Sequence, residues 1–124
     1  MYKDLFDLIL EVGKRLNGGI LVFFTSYAMM REYLAYWKRA ELLNEFKEKA
    51  KKKYFYEPID KKEFQDNLYG YKKTITDPNS NYTGAFMFAV CRGKLSEGVN
   101  FSDDACRCVI MAGIPFAPIF SPDV

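Results

Sequence analysis

Apolar residues at the start of the chain follow helical spacing and then give way to a continuous apolar run. Five of them recur at i, i+3, i+4, i+7 and i+11, the spacing of one face of an amphipathic helix: Leu5, Leu8, Ile9, Val12 and Leu16. The run from Ile20 to Phe24 is β-branched and aromatic without alternation. Such a run is typical of a parallel strand covered on both faces, so the pattern predicts a helix followed by a buried strand.

The same order recurs further along the chain. The run from Thr25 to Lys38 again has helical spacing, and Ser26 is placed to cap its N-terminus. We expect helical character to continue from Glu41 to Lys53, with a break allowed near Arg39-Ala40, and "KYFYEP" to form a second short strand stopped by Pro58. A strand that leads into a capped helix is a βα unit.

The second half of the chain continues this alternation. A third helix is predicted for "DKKEFQDNLYGYKKTI", a loop for "TDPNSNYTG", and strands for "AFMFAV" and "CVIMAG". The segment "IPFAPIFSP" is rich in proline, and we expect neither helix nor sheet there. Strands that alternate with helices predict an α/β fold of the doubly wound kind, a parallel sheet with helices on both faces.

Composition restricts the classes of function. The 124 residues suffice for one domain, and 18 basic against 16 acidic residues give a net charge of only +2, so any basic site must be local. The absence of histidine excludes catalytic triads that use imidazole. Cys91, Cys106 and Cys108 form neither an even set nor a C-x-x-C pair, which argues against a disulfide framework and against a self-contained metal site.

The hydrophobic pattern also bears on membranes. The longest apolar stretch, residues 18–24, is far shorter than the roughly 20 residues that a membrane helix needs. The N-terminus carries Lys3 and Asp4 where a signal peptide would be apolar. We therefore expect an intracellular protein without a membrane partner.

Two polar clusters follow predicted strands, which is where parallel sheets bind ligands. The first is "TSY" after the first strand, and the second is "RGKLSEGVN" after the third. Gly93-Lys94 is not a phosphate-binding P-loop, because that motif needs an earlier glycine where Phe88 stands and a Ser or Thr where Leu95 stands. The sequence therefore shows no loop of this type that could bind ATP by itself.

The groups that remain suit phosphodiester oxygens. Arg92 and Lys94 supply cations, Ser96 supplies a hydroxyl, and Ser26 at a helix N-terminus offers a hydroxyl beside backbone N–H groups. Glu97 and Asn100 suit phosphate poorly and are better placed to bind a ribose hydroxyl, a water or a basic group. A simpler interpretation stays open: Ser26 as a helix cap only, and the charged residues of the second cluster as a solvated surface.

At this point the motifs resemble a known family. "GGILVFFTSYAMM", "YFYEP", "AVCRGKLSEGVNFSDD" and "CVIMAGIPFAP" occur in the order and spacing of the second motor domain of the iron-sulfur superfamily-two DNA helicases of the XPD/DinG type. The closest likeness is to the branch that contains FANCJ, RTEL and the ChlR helicases. The resemblance covers nearly the whole chain and implies a RecA-like α/β fold.

The resemblance implies a role for each cluster. The family's motif IV corresponds to Phe24, Ser26 and Tyr27, which would line the path of single-stranded DNA. Its motif V corresponds to the second cluster, where Arg92, Lys94 and Ser96 would touch the DNA backbone.

The rest of motif V has a different implied role. Glu97, Gly98 and Asn100 would face the nucleotide cleft. Many relatives carry aspartate where Asn100 stands, and asparagine keeps a hydrogen-bond acceptor there while losing a charge.

Other parts of the family pattern are expected outside these residues. We expect residues 1–124 to be a single RecA-like domain truncated before motif VI, with ATP and Mg²⁺ shared with a missing N-terminal motor domain. The 4Fe-4S cluster of the parent family would belong to that missing domain.

The function implied is part of a 5′ to 3′ ATP-dependent DNA helicase of the nucleus that acts in DNA repair or genome maintenance. The partners implied are single-stranded DNA and possible repair or replication proteins. The alternative is a non-catalytic nucleic-acid-binding or regulatory module, or a gene fragment, that retains the fold.

Overall fold

The computed structural model describes residues 2–77, 79, 81–90, 106–112 and 119–121. The elements in chain order are α1 (Tyr2–Arg15), β1 (Gly18–Phe24), α2 (Tyr27–Arg39), α3 (Asn44–Glu48), β2 (Lys52–Tyr56), α4 (Lys61–Thr76), β3 (Gly84–Val90), β4 (Cys108–Met111) and β5 (Ile119–Ser121). None of the helices in these ranges is long and apolar enough to cross a membrane.

One five-stranded sheet organises the chain, with the strand order β2-β3-β1-β4-β5. β1 pairs in parallel with β3 and with β4, and β2 pairs in parallel with β3. β1 is the central strand, and its continuous apolar run is buried between neighbours on both sides and layers on both faces, as the pattern predicted. The parallel sheet is confirmed.

Helices cover both faces of the sheet, which confirms the predicted α/β class. On one face α1, α2 and α3 pack over alternate strand residues, and fully buried Phe6, Trp37 and Phe46 meet Phe88 in one aromatic core. On the other face α4 packs over the intervening residues of β1 and β3. Because side chains alternate across a strand, one apolar run supplies both cores.

The helix that was predicted to run from Glu41 to Lys53 is wrong over most of its length. Only α3 is helical there, and β2 already begins at Lys52. Glu41 and Lys51 have φ angles of 59° and 54°, a left-handed conformation that ends a right-handed helix. The lysine-rich run from Lys47 to Lys53 is therefore divided among the end of α3, a turn and the start of β2.

The prediction of no sheet in "IPFAPIFSP" is also wrong. Residues 119–121 form β5, which pairs antiparallel with β4 through Val109↔Ser121, Ile110↔Phe120 and Met111↔Ile119. An edge strand needs ladder hydrogen bonds on one side only, so prolines nearby in sequence do not exclude it.

A buried lysine lies at the end of the sheet where the parallel strands begin. Lys52 is 1% exposed, and its ammonium donates to the carbonyl oxygen of Gly13 at 2.7 Å and to Oγ1 of Thr83 at 2.9 Å. Burial lowers the pKa of Lys52 to about 8. The Lys52 side chain therefore joins the first residue of β2 by hydrogen bonds to the end of α1 and to the loop before β3.

Two glycines meet where β1 and β3 begin. Gly18 has a φ of 100° and pairs directly with Gly84 in the parallel ladder. A Cβ atom on Gly84 would collide with the backbone of Gly18, whose amide donates to the Thr83 carbonyl at 2.8 Å. The central strand pair can therefore start at this point only because neither residue carries a side chain.

We predict that Gly84→Ala lowers the free energy of unfolding by about 2 to 4 kcal/mol, because backbone atoms must shift to accept the methyl group. Chemical denaturation measures the change. Gly70→Ala is the matched control: its added Cβ would lie 2.9 Å from the ring edge of Phe55, which can move, and alanine favours the helix. Equal effects of the two substitutions would contradict the role assigned to Gly84.

A second prediction concerns Lys52. The folded protein releases its proton near pH 8, below the ordinary value of 10.5, so the unfolded chain binds more protons between these values. The unfolding free energy should therefore increase as the pH rises from the pKa of Lys52 in the folded protein to its pKa in the unfolded chain. Lys52→Met should lack the effect, so the wild-type minus variant difference grows by at least about 1 kcal/mol from pH 8 to 10. A difference that stays constant with pH contradicts the prediction.

Candidate nucleic-acid interface

The carboxyl ends of the parallel strands form the edge of the sheet that holds the candidate site. Phe24 of β1 is in register with Val90 of β3, and Tyr56 of β2 lies beside Phe88. The amide of Ala112, just after β4, donates to the Phe23 carbonyl at 2.7 Å. The carboxyl ends of these strands therefore meet at one edge of the sheet, which is the usual location of ligand sites in parallel sheets.

Ser26 caps α2 as predicted. Its backbone is extended, with φ of −153° and ψ of 159°, and its hydroxyl oxygen accepts a hydrogen bond from the Met29 amide at 3.1 Å. The side chain is exposed at the end of β1. A serine hydroxyl that accepts in this way still has its own O–H to donate, so the cap is compatible with a contact to an anion.

Tyr27 points its hydroxyl into the protein. That hydroxyl donates to Oε2 of Glu57 at 2.6 Å, a short distance of the kind seen when a carboxylate accepts. Burial, the hydrogen bond to Glu57 and the charge of that carboxylate raise the pKa of Tyr27 to about 12. The first turn of α2 is thus tied to the residue that follows β2.

Glu57 joins three elements through one buried carboxyl group. It is 0% exposed, and while Oε2 accepts from Tyr27, Oε1 accepts from the Val90 amide at 3.3 Å. Its own amide donates to the Phe88 carbonyl at 2.8 Å. We call this set of Tyr27, Glu57 and Val90 the carboxylate bridge, and it holds the end of β3 against α2.

The structure brings only part of the predicted site into view. Ser26 and Tyr27 lie side by side at the end of β1. The remaining predicted residues all lie outside the described residues: Arg92, Lys94, Ser96, Glu97, Gly98 and Asn100. Because Val90 belongs to the carboxylate bridge, that predicted loop starts two residues from a backbone amide that Glu57 holds.

Glu57 is the residue that the sequence-based prediction of the site missed. "YFYEP" was assigned to a strand stopped by proline, and its glutamate was given no role. A glutamate directly after a buried strand, at the edge where the other polar clusters lie, is the signal that could have identified it.

The polar groups at the carboxyl ends of the strands fit a phosphodiester group better than a triphosphate with Mg²⁺. Ser26, Tyr27 and Glu57 supply hydroxyls and a carboxylate but no cation, so these three do not fit a triphosphate with Mg²⁺. The exposed Ser26 at the N-terminus of a 13-residue helix fits a single phosphodiester group better.

Comparisons with known proteins find similarity to helicases. A family model described as "Helicase C-terminal domain" matches residues 9–124. The chain is 38% identical over 120 residues to the ATP-dependent DNA helicase CHL1 of Kluyveromyces lactis, and 38% identical over 132 residues to the ATP-dependent DNA helicase DDX11 of Mus musculus. It is 42% identical over 106 residues to the human regulator of telomere elongation helicase 1.

These alignments cover most of this chain and little of the relatives. They take in 97%, 98% and 86% of the chain respectively, but only 14%, 14% and 8% of the three relatives. The chain therefore corresponds to one portion of much longer proteins.

We predict that the carboxylate bridge is energetically coupled. Glu57→Ala leaves the Tyr27 hydroxyl and the Val90 amide without their acceptor, so the unfolding free energy should fall by about 2 to 4 kcal/mol. Tyr27→Phe should cost about 1 kcal/mol, and the double variant should show a coupling of about 1 kcal/mol. Denaturation of the four proteins gives all three values.

The exposed Glu48 is the control, since Glu48→Ala should change stability by less than about 0.5 kcal/mol. Strictly additive effects of Glu57→Ala and Tyr27→Phe would show that the bridge does not couple the two residues.

Proposed function

The chain belongs to the helicase C-terminal domain family, and on that premise we propose that it is the second motor domain of a 5′ to 3′ ATP-dependent DNA helicase. Its similarity to CHL1, DDX11 and the regulator of telomere elongation helicase 1 confirms the predicted resemblance to the XPD-like branch. The α/β sheet with helices on both faces is consistent with the RecA-like fold of such domains. The activity, substrate and partners of the whole protein remain part of the proposal.

The observation that carries the proposal is the carboxylate bridge. Glu57 connects Tyr27, which begins the motif IV helix, to Val90, which immediately precedes the motif V segment. A rigid link between the two segments would move them as one body when either binds its ligand. We propose that this link keeps Ser26 and the motif V cations in a fixed relation along a DNA strand.

The proposed DNA contacts come from both segments. Ser26 would donate its hydroxyl to a phosphate oxygen, and Arg92, Lys94 and Ser96 would bind neighbouring phosphates. Tyr27 would take part through its ring and its position, because its hydroxyl donates to Glu57.

The proposed nucleotide contacts lie further along motif V. Glu97, Gly98 and Asn100 would face ATP and Mg²⁺ bound mainly by an N-terminal motor domain. Asn100 would form hydrogen bonds as acceptor and donor where many relatives have a carboxylate. The 4Fe-4S cluster proposed for the parent protein would likewise belong to that other domain.

The same proposal extends to the biological setting. We propose that the whole protein acts in the nucleus on single-stranded DNA during repair or genome maintenance, together with repair or replication proteins. The support is the similarity to relatives whose names describe DNA helicases and telomere elongation.

We predict that the chain binds single-stranded DNA weakly and in a salt-sensitive way. Anisotropy of a labelled oligothymidylate should show an affinity that falls between about 50 and 200 mM salt, with a log-log slope of roughly −0.7 per phosphate contacted. Lys94→Ala should reduce the magnitude of the slope by about 0.7, because one phosphate contact is lost. Ser26→Ala should weaken binding with little change of slope.

Lys3→Ala is the matched control, because Lys3 lies on α1 and pairs with Asp7 at 2.7 Å. If Lys94→Ala and Ser26→Ala both bind like the wild type at low salt, the assignment of the two segments to phosphate contact is wrong. A non-catalytic module would then be the better interpretation, and ATP hydrolysis by a longer form of the protein would decide between them.

A further inference from the structure

An open groove runs along β2, at the edge of the sheet farthest from β5. A cavity of about 430 Å³ is lined by the whole of β2, by Asn44 and Lys47 of α3, and by Asn67 of α4. A neighbouring cavity of about 270 Å³ shares Leu43, Tyr54 and Tyr56 with it and adds part of α2. We call the two cavities together the edge groove. Residues of β2 and of the helices α2, α3 and α4 line this groove.

Alternate backbone groups of β2 face this groove. The Lys51 carbonyl accepts from the Thr83 amide at 2.7 Å, and the Glu57 amide donates to the Phe88 carbonyl at 2.8 Å, so odd-numbered residues face β3. Tyr54 and Tyr56 therefore direct their N–H and C=O groups outward. Asn67 donates to the Tyr56 carbonyl at 2.8 Å, whereas the Tyr54 groups have no hydrogen-bond partner among the described residues.

The charge of the edge groove is positive. Lys47 and Lys53 line the larger cavity, and Arg31 and Lys38 line the smaller one. The described residues that line the two cavities include no aspartate or glutamate. Clustered cations along an exposed backbone edge favour an occupant that carries carboxylates.

Aromatic side chains complete the groove. Tyr56 is 42% exposed, and Tyr54 is half-buried beside Leu43. Such side chains offer apolar contact to every second residue of a strand laid beside β2, which is how edge-strand sites obtain specificity.

We propose that the edge groove binds an extended acidic segment of a partner polypeptide, which joins the sheet as a further strand beside β2. The five residues of β2 set the length of the segment at about five residues, or roughly 17 Å. This inference rests on the geometry of β2 and is independent of the proposed helicase activity.

Two other occupants fit the groove less well. A second copy of the chain would bring its own Lys53 and Lys51 against the same lysines, and like charges at a sheet edge oppose pairing. A nucleic acid would satisfy the cations but lacks the alternating N–H and C=O groups that match the outward groups of Tyr54. Charge and backbone together therefore favour the acidic polypeptide.

The test uses the full 124-residue chain and a labelled seven-residue peptide in which glutamate and valine alternate. Fluorescence anisotropy should show saturable binding. Amide hydrogen exchange, followed by NMR, should slow at Tyr54 on peptide addition, while the Phe55 amide, which already faces β3, should change little. A lysine-valine peptide of the same length should bind at least about tenfold more weakly.

Two N-methylated peptides distinguish strand addition from charge attraction. One is methylated on the glutamate amides and the other on the valine amides, and only the pattern that faces β2 should lose affinity, by about tenfold or more. Equal affinity of both methylated peptides and the parent would overturn the proposal.

Protein variants give a further control. Lys47→Glu combined with Lys53→Glu should weaken binding of the acidic peptide, whereas Lys3→Glu on α1, outside both cavities, should not. Displacement of the bound peptide by an oligothymidylate, with protection of Tyr54 lost, would identify the groove as a nucleic-acid surface and would also overturn the proposal.

Discussion

A single buried carboxyl group fixes how the strand ends of this domain meet. Glu57 lies beyond the last residue of β2, has no exposed surface, and accepts from the Tyr27 hydroxyl and the Val90 amide. A buried carboxylate is stable only when hydrogen-bond donors replace the water it has lost. The donors come from α2 and β3, so the position of Glu57 constrains both elements at once. The first turn of α2 and the end of β3 therefore cannot move independently while Glu57 stays buried.

Different contacts hold the strands together at their amino ends, opposite Glu57. Lys52 binds the Gly13 carbonyl and Thr83, and the close approach of Gly18 and Gly84 removes any space between β1 and β3. These contacts involve neutral acceptors and backbone atoms inside the protein. The amino ends of the strands are thus joined by internal contacts, whereas the carboxyl ends carry the residues proposed to bind a ligand, Ser26 among them. This division is the usual one in parallel sheets.

Local sequence patterns predicted the parts of the structure that local physics determines. The unbroken apolar run of β1 and the serine before α2 each carry their own signal, because burial on both faces and helix capping act within a few residues. The left-handed turn at Lys51 and the pairing of β5 with β4 were not predictable, since the first is a single backbone choice and the second is a contact set by tertiary structure. The partners of Glu57 were not predictable for the same reason, because they lie 30 and 33 residues away in sequence.

The carboxylate bridge also restricts where the proposed DNA strand can lie. Under the proposed function, the DNA strand would pass on the outer side of Tyr27, because a carboxylate repels phosphate and the Ser26 hydroxyl is exposed there while the donors to Glu57 cover its carboxylate. Under the same proposal, the cations that bind the DNA backbone would be Arg92 and Lys94, which follow Val90 in the sequence. The Tyr27 hydroxyl and the Val90 amide are neutral donors, so they replace the water that the Glu57 carboxylate has lost without cancelling its charge. Glu57 would thus contribute to the proposed DNA contact indirectly, by fixing the end of β3 from which the motif V segment begins.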